Sequence, residues 1–185
     1  MNNWKKKRSV MRRYNLTAAM YESRYQEEQE VKYGAALEKL DLRHISVALD
    51  AGCGTGIFFR KVACMAEAIV GVDISRNLLR LALKRAKEYG NVSLVLADAD
   101  NLPFQENVFD VVFVFTVLQN MPEPIETLRH LQFSAKTDAY FVVTGLKATI
   151  SVNDFEIILR EGGLRIVTLQ DKEAVKCYVA TAVRN

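Results

Sequence analysis

Residues 48–56 read Ala-Leu-Asp-Ala-Gly-Cys-Gly-Thr-Gly, and this stretch decides the fold. The apolar run Val47, Ala48, Leu49 leads into Asp50 and then into Gly52, Gly54 and Gly56, spaced two apart; a helix-compatible segment starts at Ile57. An apolar run that breaks into glycines marks a strand ending in a sharp turn, where the missing Cβ lets backbone approach a ligand closely. The spacing sorts the ligands. A dinucleotide fingerprint, G-x-G-x-x-G, seats a pyrophosphate on a helix N-terminus. Here the third glycine arrives one residue early, and Ile57 stands where that fingerprint needs glycine. No Gly-Lys-Ser/Thr follows, which excludes a P-loop. The loop is therefore expected to hold something other than a phosphate.

Working outward, a second strand is expected at 68–72 and ends in Asp73, 17 residues beyond Gly56, enough for one helix and one strand. A carboxylate at that strand end offers two oxygens to the two hydroxyls of a ribose; the alternative is that Asp73 only starts the Asp-Ile-Ser turn before the next helix. A third strand over 92–97 ends in Asp98-Ala99-Asp100. The fourth, 109–115, is apolar almost throughout, as a strand buried on both faces should be.

This ordered set resembles the class I S-adenosylmethionine-dependent methyltransferases, in the small type 11-like group, over roughly residues 33–183. The resemblance rests on Asp50-Ala51-Gly52-Cys53-Gly54-Thr55-Gly56, Asp73, Asp98 and the fourth strand. It implies S-adenosylmethionine as cofactor, with Asp50, Gly52, Cys53, Gly54, Gly56, Asp73, Ile74, Asp98, Ala99 and Thr116 around it. Asp98 would accept from the adenine amino group, while Asp100 is expected to cap a turn. It also implies a doubly wound α/β sheet of seven strands in the order 3-2-1-4-5-7-6, mostly parallel with the last antiparallel, and helices on both faces. The alternation of elements along the chain agrees with that architecture.

Composition bounds the rest. The 185 residues fit one domain, with half of them hydrophobic and a quarter charged. No apolar run approaches a membrane span and no secretory leader is visible, so no membrane partner is expected. Cys53, Cys64 and Cys177 are odd in number and far apart, which suggests neither a metal site nor a disulfide framework and fits a reducing cytoplasm. Cys53 is read as a small residue suited to the loop rather than a nucleophile. Lys5, Lys6, Lys7, Arg8, Arg12 and Arg13 place six cations and no acid in the first 13 residues, leaving 19 basic against 22 acidic residues in the remainder. The formal net charge of +3 thus belongs to this basic arm, which can contact RNA or an acidic protein partner or remain a solvated terminus.

The expected division is a basic arm and lid helices over 1–32 and the methyltransferase domain over 33–185. A helix over 14–30 carries Tyr14, Tyr21 and Tyr25 on one face, and Tyr33, Leu37 and Leu40 continue an apolar stripe in a helix leading to the first strand. Ser75 is expected to cap a helix that stops at Gly90. A fifth strand is expected at 139–144, a short helix at 154–160, and a terminal hairpin at 164–169 and 175–183.

The acceptor is less legible. Displacement at a sulfonium needs positioning and water exclusion more than acid–base help, so no catalytic triad is expected. By resemblance, the residues after the fourth strand, Thr116 to Asn120, face the transferred methyl. Gln119 and Asn120 are therefore acceptor-side candidates, with a helix N-cap as the other account of Asn120. The Asn/Asp-Pro-Pro-Tyr/Phe signature of amine and amide methylation is missing there. Only residues 145–152 separate the fifth strand from its helix, too few for a lid, so Tyr21 and Tyr25 are the candidates for closing the site. A thin cover favours a large acceptor, RNA or protein; a small metabolite, or a non-catalytic cofactor-binding subunit, is the alternative. The third strand, at a sheet edge, invites pairing with an activator protein.

Overall fold

The structure, a computed structural model, describes residues 3–38 and 45–184. Within the first helix the side chains of residues 19 and 21–27 lie outside that description, as does Leu40. The chain runs α1 (Asn3–Leu37), β1 (Ile45–Ala51), α2 (Phe59–Val62), β2 (Ala66–Asp73), α3 (Arg76–Tyr89), β3 (Val92–Leu96) and β4 (Phe109–Val114). A single 3₁₀ turn at Leu118–Asn120 follows, then α4 (Pro124–Ser134), β5 (Ala135–Leu146), α5 (Val152–Glu161), β6 (Leu164–Gln170) and β7 (Cys177–Arg184).

The seven strands pair in the order β3-β2-β1-β4-β5-β7-β6, and only β7 runs antiparallel to its neighbours. This is the expected order. β4 explains why the sheet must be covered on both sides: Val111, Val112, Phe113 and Val114 are each 0% exposed, so successive side chains enter opposite cores. One core joins Tyr33 and Ala36 of α1 to Phe58, Phe59, Val62 and Ala82; the other joins Leu118, Leu128 and Leu131 to Phe155 and Leu159. Chain order reverses between β1 and β4, which pair directly. In a doubly wound sheet, ligands bind in the crevice at the carboxyl ends of the strands beside such a reversal.

Capping follows the sequence where the signal is local. The Ser75 hydroxyl accepts from Leu78 N at 3.2 Å, and Gly90 closes α3 in the left-handed conformation at φ 72°. The amino-terminal region departs from expectation. Instead of an arm followed by two helices, α1 runs unbroken through 35 residues, about 50 Å, and across the expected boundary at 32/33. No proline falls between residues 3 and 37 and the one glycine, Gly34, sits in the last turn, so nothing in the backbone interrupts the helix. β5 also starts four residues earlier than expected, directly after α4.

Candidate functional site

β1 delivers its last residues into the glycine loop. Gly52 and Gly54 sit at φ 78° and 58°, which glycine adopts without strain, and a Cβ on Gly52 would lie 2.5 Å from Val117 Cγ2. Gly52 N and Cys53 N both donate to Val72 O, at 2.7 and 2.9 Å. Gly54 N donates to Asp73 Oδ2 at 2.9 Å and Ser75 N to Asp73 Oδ1 at 2.7 Å. Asp73 therefore fastens the loop after β1 to the start of α3, and each of its oxygens keeps acceptor capacity to spare. Burial raises its pKa to about 6 against the pull of the Ser75, Gly54 and Ile74 amides. Arg85 Nη1 donates to Thr55 O at 2.7 Å and fixes the far side of the loop.

Asp50 is 2% exposed at the end of β1, and its Oδ2 has no hydrogen-bond partner among the described residues. Burial, then repulsion from Asp73, lifts its pKa to about 7, with Lys32 pulling the other way. Lys32 of α1 is 1% exposed, and burial lowers its pKa to about 8. Its Nζ donates to Thr116 Oγ1 at 2.6 Å. Thr116 holds φ at 62°, a left-handed conformation that costs a β-branched residue energy. Two further hydrogen bonds lock it: Thr116 N donates to Thr144 Oγ1 and Asn120 Nδ2 donates to Thr116 O, both at 2.9 Å. Burial holds the Cys53 thiol well above its ordinary pKa. It is a thiol, not a thiolate, consistent with a small space-filling residue.

At the carboxyl end of β3, Asp98 Oδ1 accepts from Asp100 N at 3.1 Å, so Asp98 rather than Asp100 caps this turn. Asp98 Oδ2 accepts from Lys7 Nζ at 2.6 Å, and Lys7 also pairs with Asp100. Burial acts to lower the Lys7 pKa, but hydrogen bonds and charges from Asp100 and Asp98 outweigh it and hold the ammonium above its ordinary value. Sequence reasoning placed Lys7 in a basic arm, either solvated or facing a partner; it is 8% exposed and sits inside the cleft.

Two clefts meet over Thr116. The first brings together Gly52, Gly54, Asp73, Ile74, Asp98, Ala99 and Thr116 beneath Lys7, Val10 and Tyr14 of α1. A smaller space beside it holds Asp50, Cys53, Thr55 and Gln29. The second is lined by Arg13, Tyr14, Glu28, Gln29, Gln119 and Asn120 and shares Tyr14, Thr116 and Asn120 with the first. Gln119 Oε1 is buried there without a partner among the described residues. Asn120 is not a helix cap: it ends the 3₁₀ turn, Glu123 precedes α4, and its Oδ1 accepts from Arg13 Nη2 at 2.8 Å. The side chains of Tyr21 and Tyr25 lie outside the described residues.

Sequence reasoning missed Lys7, Lys32, Arg85 and Asn15, whose Oδ1 accepts from Ser75 Oγ at 2.7 Å. For Lys32 a signal existed: it sits among Gln29, Tyr33 and Ala36 on the buried side of α1. No cluster of three or more metal-ligating side chains occurs among the described residues, and no described helix is long and apolar enough to cross a membrane.

These residues fit S-adenosylmethionine. A cradle that a Cβ at Gly52 would fill, a buried carboxylate oxygen without a partner at Asp50, and a buried ammonium at Lys32 suit a nucleoside joined to a zwitterionic amino acid.

A family model described as "Methyltransferase domain" matches residues 49–143. Demethylmenaquinone methyltransferase of Staphylococcus saprophyticus is 36% identical over 98 residues, 51% of this chain and 42% of that protein. The Staphylococcus carnosus protein of the same name is 31% identical over 108 residues, 57% of this chain and 45% of its own length. The chain thus spans under half the length of these curated relatives. Among solved structures, the [4+2]-cyclase SpnF superposes with a TM-score of 0.81 at 19% identity, covering 95% of this chain and 94% of that one. A putative methyltransferase complexed with the Trm112 activator of Haloferax volcanii gives 0.79 at 14% identity, covering 92% and 97%. A SAM-dependent methyltransferase from Aquifex aeolicus gives 0.73 at 19%, covering 83% and 89%. At these identities the structural likeness speaks for the fold, and the family model speaks for the chemistry. With the glycine loop, the acids at successive strand ends and the matched segment in agreement, the chain belongs to the methyltransferase-domain family of S-adenosylmethionine-dependent enzymes.

Proposed function

We propose that this chain transfers the methyl group of S-adenosylmethionine to a small-molecule acceptor bound beneath α1. The observation that carries the reading is the junction of the two clefts at Tyr14, Thr116 and Asn120, with α1 lying over both. The preference for a macromolecule rested on a bare site after the short β5–α5 connection. α1 supplies the cover that this connection lacks, and the demethylmenaquinone methyltransferase relatives point the same way.

In this reading Asp73 accepts the ribose hydroxyls, Asp98 the adenine amine with Ala99 and Ile74 against the ring, and Gly52, Cys53 and Gly54 form the cradle; Gly56, expected beside the cofactor, instead faces the Phe59 ring, which leaves no room for a Cβ there. Asp50 receives the amino acid ammonium and Lys32 its carboxylate. Bound there, the cofactor supplies an electrophilic methyl group on sulfur. The chain's own work is to aim and to dry the site: Thr116 is held rigid by Lys32, Thr144 and Asn120, and α1 excludes water. Gln119 Oε1 accepts from a hydroxyl or amine on the acceptor, since a buried carbonyl oxygen otherwise stays unpaired.

Incubation with methyl-tritiated cofactor and separated metabolite, RNA and protein pools tests the reading. Label is expected in the metabolite pool, and Gln119→Ala is expected to raise KM for the labelled acceptor without changing cofactor affinity. Label confined to RNA or protein would overturn the small-acceptor assignment.

A further inference from the structure

Arg8, Arg12, Leu16 and Met20 recur every four residues along α1, so they form one row that turns about 40° per step across the side of the helix away from Lys7, Val10 and Tyr14, and all four are exposed; Leu16 is 83% exposed and Met20 48%. Lys5 stands beside this row and Trp4 at its start is 46% exposed. Lys5, Arg8 and Arg12 have no ion-pair partner among the described residues, and the chain has no acid before Glu22. α3 extends the charge. Arg76 lines a groove with Trp4, Met11 and Leu96, and Arg80 and Lys84 follow Arg76 at steps of four, all exposed, with Leu83 49% exposed among them. The one acid of α3, Glu88, lies in its last turn.

We propose that this face of α1 and α3 docks on an anionic lipid bilayer. Cations alone would suit a nucleic acid backbone equally well. The exposed leucine decides between them, with the half-exposed methionine beside it: a phosphate backbone offers nothing to a leucine, whereas a bilayer interface takes cations at its headgroups and apolar side chains just beneath. The placement also has a consequence for the site. Arg13 and Thr17, next to Arg12 and Leu16 in sequence, line the acceptor cleft, so the row borders its mouth and an acceptor can pass between bilayer and cleft. Docking does not depend on which acceptor is methylated.

Trp4 is the chain's one tryptophan, so its emission reports the row directly. Titrating the full chain with phosphatidylcholine vesicles containing a quarter phosphatidylglycerol should shift that emission to the blue and co-float the protein, while pure phosphatidylcholine vesicles bind at least tenfold more weakly. Replacing Lys5, Arg8 and Arg12 together by alanine should weaken binding about a hundredfold, at roughly fivefold per cation near the surface. Leu16→Ser, which leaves the charge unchanged, should weaken it about tenfold. Calorimetry with S-adenosylhomocysteine would show that both variants remain folded, because none of these residues lines the cofactor cleft. Absence of binding to anionic vesicles overturns the proposal. So does binding that falls with the cations but not with Leu16→Ser, or retention by single-stranded RNA in place of vesicles.

Discussion

Replacing Asp50 by asparagine should stabilise the free protein while weakening cofactor binding, and the two effects have one cause. Burial raises the Asp50 pKa from 3.8 in the unfolded chain to about 7 in the folded one. A raised acid costs stability above its unfolded pKa, because the unfolded state releases a proton that the native state retains. The cost grows from pH 4 to pH 7 and then levels off at about 4 kcal/mol, taking 1.36 kcal/mol per pH unit. Asparagine fills the same space without the charge. Lys32 loses a counter-charge in the exchange, so the gain falls below that ceiling. Chemical denaturation of the cofactor-free proteins should find Asp50→Asn about 2–4 kcal/mol more stable at pH 8, with the advantage shrinking to about 1 kcal/mol near pH 5. Titration of S-adenosylmethionine into the same variant should show affinity reduced at least tenfold, since the ammonium meets an amide. A variant less stable than the parent at pH 8, or a difference that ignores pH, would refute the assignment of a desolvated, unpaired carboxylate.

The other predictions are narrower. Gly52→Ala forces a Cβ into Val117 at a positive φ and should lower stability by about 2 kcal/mol while abolishing cofactor binding; thermal melts with and without cofactor read both. Lys7→Met strands two half-buried carboxylates and should cost about 1–2 kcal/mol, lowering the melting temperature by roughly 2–8 °C for a chain of this length. In native protein, iodoacetamide should label exposed Cys64 and spare buried Cys53 and Cys177, with all three labelled after denaturation; mass mapping checks this.

What could be read in the sequence was local. The glycine loop, Asp73 and the Ser75 cap are defined by residues within a few positions of one another, and the strand order followed from the family resemblance those residues carry. What stayed hidden depends on distant partners. Lys7 meets Asp98 across 91 positions and Lys32 meets Thr116 across 84, and no local pattern marks either pair. Both hang on α1 being one continuous helix, whereas the tyrosine spacing and the basic run read as separate pieces. Asn120 was ambiguous for the same reason. Its N-cap alternative was local, but two of its three side-chain partners among the described residues, Arg13 and Tyr14, come from the far end of the chain, and only Thr116 O is close in sequence.

Calorimetric titration of S-adenosylmethionine into the purified chain and its Asp73→Ala variant tests the central claim most directly. Asp73 ties the loop to α3 through two backbone hydrogen bonds and keeps acceptor capacity for the ribose. Saturable one-to-one binding by the parent and none by the variant is the predicted result. No binding by the parent, or equal binding by both, would contradict it.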